Sequence, residues 1–263
     1  MKKIALGIIL FWACSIILKL FNNFDSSLMK VDEILMTPNL SYWFGKDDYG
    51  REIYYRLVDG FINSFEIIFS VTLVTSFFGI SIGVLSGFFG GKFDQLIKFI
   101  TTLFMSFPGI LLAIAFAAIL SPGKLNLIIA LSIGGWVSYA RLARAQTLLI
   151  KEQDFVKASQ SMGSSKSRII FCHILPGIST PLIVEATYAV AGLIIAEASL
   201  SFLGLGLQPP EASLGGMMRD SVRYLLASPH YAIFVGASIM SMVFAINFIG
   251  DFLHKFWDIK KNE

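Results

Sequence analysis

The chain has 263 residues, 55% of them hydrophobic and only 15% charged, with a mean hydropathy of +0.70. A soluble domain of this length carries roughly a quarter charged residues, so a water-soluble globular protein is excluded. The formal charge of +3 is too small to suggest a nucleic-acid partner. Two cysteines, Cys14 in an apolar segment and Cys172 in a basic loop, supply neither a disulfide framework nor a paired-cysteine metal site.

A helix needs roughly 20 mostly apolar residues to cross the hydrocarbon core. Six stretches meet or approach that length: 4–21, 61–88, 99–120, 125–148, 178–200 and 231–252. The expectation is an all-α polytopic membrane protein with about six transmembrane helices. The first stretch follows Lys2 and Lys3 as a secretory signal would, but Lys19, Leu20, Phe21 and Asn22 come next instead of a small-residue cleavage site. Residues 1–21 are therefore read as an uncleaved anchor, 22–60 as an external loop and 61–258 as one membrane domain containing the loop 151–176.

Lys and Arg set the orientation, because cytoplasmic loops carry their excess. Both termini in the cytoplasm puts 13 of them inside and 8 outside. Several of the 8 lie in the long loop 22–60, where the rule counts weakly, and the acidic residues of that loop agree. The segment 203–230 carries Gly204, Gly206, Pro209, Pro210, Gly215 and Gly216. No internal repeat is visible, which argues against a secondary transporter built from paired inverted repeats.

The chain lacks an engine of its own. Gly163-Ser164-Ser165-Lys166-Ser167 has the letters of a phosphate loop without its spacing. No zinc-protease motif occurs, and His173, His230 and His254 are scattered over loops and a terminus. No catalytic residue, metal site or bound cofactor is therefore assigned, and an intramembrane enzyme finds no nucleophile–base pair.

The loop 151–176 is basic, which topology alone would explain. It also has apolar residues near helical spacing, from Phe155 and Val156 to Ile169, Ile170 and Ile174. Gly163 interrupts this pattern, Ser164 with Ser165 gives a cap-like start, the cap expected at Ser164, and Pro176 offers a stop. The pattern predicts a short helix lying along the membrane and presented to a cytoplasmic partner.

At this point the residues resemble a known family. Ala158-Ser159, Gly163 and Ile174-Leu175-Pro176 look like the EAA loop of ABC importer permeases. Phe44-Gly45-Lys46-Asp47-Asp48-Tyr49-Gly50-Arg51-Glu52 resembles an external motif of the dipeptide/oligopeptide/nickel branch. So do Phe88–Phe89 with Gly90, Gly91, Lys92, Phe93 and Asp94; Ser106-Phe107-Pro108; the run from Tyr139 to Gln146; and the run from Ala196 to Pro210. The resemblance covers about residues 40–258 and is to the C-type permease of the pair.

The resemblance implies a type I permease fold with a cytoplasmic coupling helix in a bacterial inner membrane. It further implies a heterodimer with a homologous permease, two cytoplasmic ATP-binding subunits that use ATP and Mg, and an external substrate-binding protein. The ATPase-coupling residues would be Lys157, Ala158, Ser159, Gly163, Ser164, Lys166, Ile170, His173, Leu175 and Pro176. The external motif would comprise Asp47, Asp48, Gly50 and Arg51. Three positions depart from the family pattern: Lys157 stands where it has an acid, Ser159 where it has its second alanine, and Lys46 where it has a threonine.

Within the spans, Glu185 and Glu197 are candidates for a pathway or gate, since ionisable groups in a bilayer face a cavity or a partner. The alternative is that each bonds to a neighbouring helix. Pro108 interrupts the third span and gives either a hinge that lines a cavity or a tolerated kink. Gly79, Gly83 and Gly87 mark a close-packing face, and Asn247 a link between helices. The functional expectation is an importer permease for di- or oligopeptides, with nickel or a metal chelate as the alternative cargo. A reading of another class, an autonomous channel or secondary transporter, would need no ATPase.

Overall fold

The computed structural model describes residues 2–22 and 25–261. Ten α-helices follow in order: α1 (Lys2–Asn22), α2 (Ile53–Phe89), α3 (Gly91–Met105), α4 (Gly109–Leu120), α5 (Lys124–Lys151), α6 (Asp154–Ser161), α7 (Lys166–Ile169), α8 (Leu175–Phe202), α9 (Leu214–Val222) and α10 (Pro229–Lys261). Extended structure among the described residues is confined to one isolated bridge, between Lys46 and Glu52. A bilayer offers no water to backbone amides, so a helix, which bonds its own backbone, is the natural form for these apolar segments. The side chains of Lys2, Lys3, His254, Lys255, Lys260 and Lys261, which entered the expectations above, lie outside the described ones.

Among the described residues, four helical segments are long and apolar enough to cross: Ile53–Phe89, Lys124–Lys151, Lys166–Phe202 and Pro229–Phe252. The expected span 99–120 is instead a broken pair, α3 and α4, bent by 85°. The break falls at Ser106-Phe107-Pro108, where proline cannot donate to the helix and pushes the residue before it out of the helical region. The first expected span falls in α1, whose apolar stretch Ala5–Lys19 is shorter than a full crossing. The count is thus four, or five with the broken pair, and α1 makes up the sixth expected segment.

The two faces of α2 show how the bundle is sorted. Phe65, Phe69, Leu73 and Phe77 recur every fourth residue on an exposed face, which suits lipid and would be a liability in water. Ile68, Val71, Thr75, Gly79 and Gly83 lie on the buried face. That face presses on α5 so closely that a methyl group added at Gly83 would collide with the backbone oxygen of Ala140 and come within 2.9 Å of the Ala143 Cβ. The small-residue seam expected from sequence is this contact, and α2 and α5 are the most extensively packed helix pair among the described residues.

Three apolar clusters stack along the bundle. The first joins α1, α2, α8, α9 and α10 around Leu57, Ile194, Tyr231 and Val235. A second, around Ile67, Ala113, Leu127 and Leu200, joins α2, α4, α5 and α8. The third lies at the far end of α2 and buries Val156, Ile169 and Ile174 against Val84, Tyr139 and Ile178. The loop 151–176 is therefore packed onto the end of the spans on one face and exposed on the other.

Candidate functional site: the coupling segment, the cavities and the outer clasp

The segment 151–176 folds in two parts. Helix α6 buries Val156 and Ser159 and exposes Phe155, Lys157 and Ala158, as its alternating apolar and polar residues require. Lys157 pairs with Glu152 at 3.1 Å, both well exposed. Gly163 then turns the chain with φ +79°, a conformation in which glycine carries no Cβ penalty. Met162, at 80% exposure, sits beside that turn.

Beyond the turn the structure departs from expectation in two ways. The cap is Ser165 rather than Ser164; the Ser165 Oγ accepts from the Arg168 amide at 3.3 Å, while the Ser164 amide donates to the Ser159 carbonyl. Pro176 is also not a stop. The wide turn Ile170–Ile174 runs directly into α8, and Pro176 sits in the first turn of that helix. A wider turn relieves the clash between a proline ring and the carbonyl four residues earlier. The result is one continuous 37-residue helix, Lys166–Phe202, rather than a separate short one. Lys166 lies over the Phe89 ring at 5.4 Å and His173 against Phe155 at 5.9 Å. Ile170 and Leu175 are half-buried, and Pro176 is exposed.

Two of the cavities between the helices bear on the candidate gate residues. One, of 590 Å³, lies between α3, α5 and α8 and is lined by Lys98, Thr102, Ser138, Arg141 and Glu185. The other, of 350 Å³, is lined by Gly109, Gly134, Gly192 and Ala196 and shares Ser138 with the first. Of the candidate gate residues, Glu185 thus lines a cavity. Pro108 caps α4 at the bend, and the next residue, Gly109, lines the second cavity. Glu197 turns the other way. It is 1% exposed, and its carboxylate accepts from Ser64 Oγ at 2.9 Å and Ser201 Oγ at 2.8 Å, tying α8 to α2. Asn247 donates to the Val243 carbonyl at 3.0 Å within its own helix, in place of the expected link between helices.

At the mouth of the larger cavity, two sequence motifs meet. Asp94 at the start of α3 receives Arg144 from α5 in a two-pronged ion pair, one bond of which is 2.8 Å. Ser86 from α2 donates to the same carboxylate at 2.7 Å, and Lys98 approaches at 3.4 Å. Sequence reading quoted both stretches but assigned no role to Asp94, Arg144 or Arg141. The signal available was an arginine every third residue near the end of an apolar span, which needs anionic or polar partners.

The outer motif forms a clasp at the opposite end of α2. Asp47 is fully buried; it accepts from the Tyr49 and Arg51 amides at 2.9 Å each and from Arg51 Nε at 2.7 Å, with Arg56 Nε at 3.4 Å. Lys46, itself buried, pairs with Glu33 and lies 4.1 Å from the centre of the Tyr42 ring. The Lys46 ammonium holds Glu33 below the usual carboxylate range. Asp48 is pushed up, first by burial and then by the charges of Asp47 and Asp220. Gly50 turns the loop with φ +70°, with the Lys30 backbone directly against it.

Comparison with known proteins adds three findings. The family model described as "Binding-protein-dependent transport system inner membrane component" matches residues 79–261. The chain is 39% identical over 226 residues to the dipeptide transport system permease protein DppC of Alkalihalophilus pseudofirmus, covering 86% of this chain and 74% of that protein. It is 38% identical to the glutathione transport system permease protein GsiD of Pectobacterium atrosepticum, covering 87% and 76%. Among solved structures it is similar to a chain of the MetNI methionine ABC transporter in an inward-facing conformation. That match has a TM-score of 0.64 at 22% identity, and covers 76% of this chain and 95% of that one.

Proposed function

This chain belongs to the family of inner membrane components of binding-protein-dependent transport systems, the permeases of ABC importers, and on that premise we propose that it forms one half of a pathway for di- and oligopeptides. The other half is a homologous permease. Two cytoplasmic ATPases, which use ATP and Mg, dock on the segment 151–176, and an external binding protein delivers substrate at the clasp side. Both termini then lie in the cytoplasm. The family is one of permeases rather than enzymes. The dipeptide and glutathione permeases to which the chain is similar both move peptides, and this favours a peptide over a nickel chelate.

One observation carries the reading: a docking helix, α6, hinged at Gly163 to a continuous helix that runs from Lys166 past both cavities to Phe202. A stiff helix of 37 residues transmits a push at one end over roughly 55 Å at ~1.5 Å per residue. Closure of ATPases against α6 would rock α8 as a lever and switch access to the cavities. An autonomous channel needs neither the hinge nor the lever. Lys157, engaged with Glu152, presents a positive charge to the ATPase at this dock.

The test is a pull-down with transport. The tagged chain should bring down an ATP-binding subunit, and Gly163→Pro, which forbids a positive φ, should abolish uptake while the protein stays in the membrane. Gly163→Asn, which tolerates that conformation, should retain most uptake. A chain that transports without an ATPase, or that is indifferent to Gly163→Pro, would sink the importer reading.

A further inference from the structure

The larger cavity contains a charge pattern that the fold does not use. Lys98 and Arg144 at its rim are both engaged by Asp94. Arg141 and Glu185 line the same space, and neither belongs to an ion pair among the described residues. The contact made by the Arg141 guanidinium is to the Met105 sulfur at 2.7 Å, which supplies no charge. An uncompensated carboxylate and an uncompensated guanidinium beside apolar spans are both costly, and such groups mark substrate paths.

We propose, on the importer reading above, that this cavity is a station for a zwitterionic peptide, with Arg141 receiving its terminal carboxylate and Glu185 its terminal ammonium. One positive and one negative group match a molecule with one of each, and a neutral peptide adds no net charge to the site. An anionic cargo would instead call for two unspent cations. The volume of 590 Å³ lies within the range of about 300–1,000 Å³ typical of small-molecule sites. Ser138 and Thr102 line the same cavity, and their hydroxyls can bond to peptide amides. Ser138 also lines the second cavity, whose lining contains no charged residue. A peptide therefore meets charged handholds in the first cavity and slides past glycines in the second.

The experiment uses the whole permease–ATPase complex in nanodiscs, without the binding protein, and saturation-transfer NMR with three probes. Dialanine has both charges, dialanine amide lacks the carboxylate, and N-acetyl-dialanine lacks the ammonium. Wild type should favour dialanine. Arg141→Gln should weaken dialanine about tenfold or more, as expected for loss of a charge-assisted bond, and leave dialanine amide unchanged. Glu185→Gln should weaken dialanine and leave N-acetyl-dialanine unchanged, and Arg141→Lys should restore part of the loss. If both variants weaken all three probes equally, or neither changes any, the station is refuted. If they only lower the melting temperature of the complex, the charges pair with the second permease and the station is equally refuted. ATP-driven uptake by the same variants, reconstituted with the binding protein into sealed proteoliposomes, separates the two failures. Intact ATP-dependent uptake with a flat probe profile removes the station and leaves the importer; uptake without an ATPase removes the importer.

Discussion

The two charge clusters at the ends of α2 are built from the same chemistry to opposite ends. Around Asp47 the ions are sealed: Lys46, Asp47, Arg51 and Arg56 are each at most 4% exposed, and the carboxylate is saturated by backbone and guanidinium donors. Around Asp94, roughly 55 Å away along α2 at ~1.5 Å per residue, the acid is held just as firmly, but its partner Arg144 lies at the edge of a cavity with Arg141 and Glu185 unpaired beside it. The sealed cluster is shut off from solvent and serves as a clasp that fixes the loop of residues 30–52 onto the bundle. An open one leaves charge for a visitor. The difference is in what surrounds the ions, since the pairs themselves are alike.

The comparison breaks most readily at Asp47. Asp47→Ala strands two buried arginines, and such a loss costs about 3–5 kcal/mol. The purified protein should show a large drop in melting temperature; a drop equivalent to less than about 1 kcal/mol would mean the clasp is wet rather than sealed. A smaller effect is expected at the open end. Asp94→Asn removes an ion pair that water can partly replace, and should cost about 2 kcal/mol in the same melt. Should Asp94 prove costlier than Asp47, the sealed-versus-open distinction fails.

The smallest effect sharpens the picture and has a sign. Asp48 titrates above the ordinary aspartate range because of burial and the charges of Asp47 and Asp220. Such a group favours folding fully below its unfolded value, near pH 4, and loses that contribution as pH rises through its folded value. At neutral pH its charge therefore weakens the clasp. Asp48→Asn should raise stability by less than about 1 kcal/mol near pH 7 and leave it unchanged near pH 4. Melting curves at both pH values check this; a gain at low pH alone would invert the argument.

Much of this molecule was legible in one dimension because a membrane allows few answers. Runs of apolar residues of sufficient length must be helices, so α2, α5, α8 and α10 could be placed within a few residues at most boundaries. The glycines at 79, 83 and 87 announced their seam because four-residue spacing puts them on one helix face. The loop 22–60 was less transparent. Its charges could be assigned to one side of the bilayer, but nothing in their order indicated that Asp47 would be buried between Arg51 and Arg56.

The sequence by itself determined the helical class, the break at Gly163 and, through a set of motifs in order, the family. Only the tertiary structure decided which acid faces what. Glu185 and Glu197 sit about 18 Å apart on one helix at ~1.5 Å per residue and look alike in sequence. Ser64, brought in from α2, consumes Glu197, while Glu185 lines the cavity between α3, α5 and α8. Pro176 teaches the same lesson: a proline reads locally as a stop, but the wide turn before it lets α7 and α8 join into one continuous helix. Local propensity sets what a segment can be; the neighbours that satisfy or abandon its polar groups set what it does.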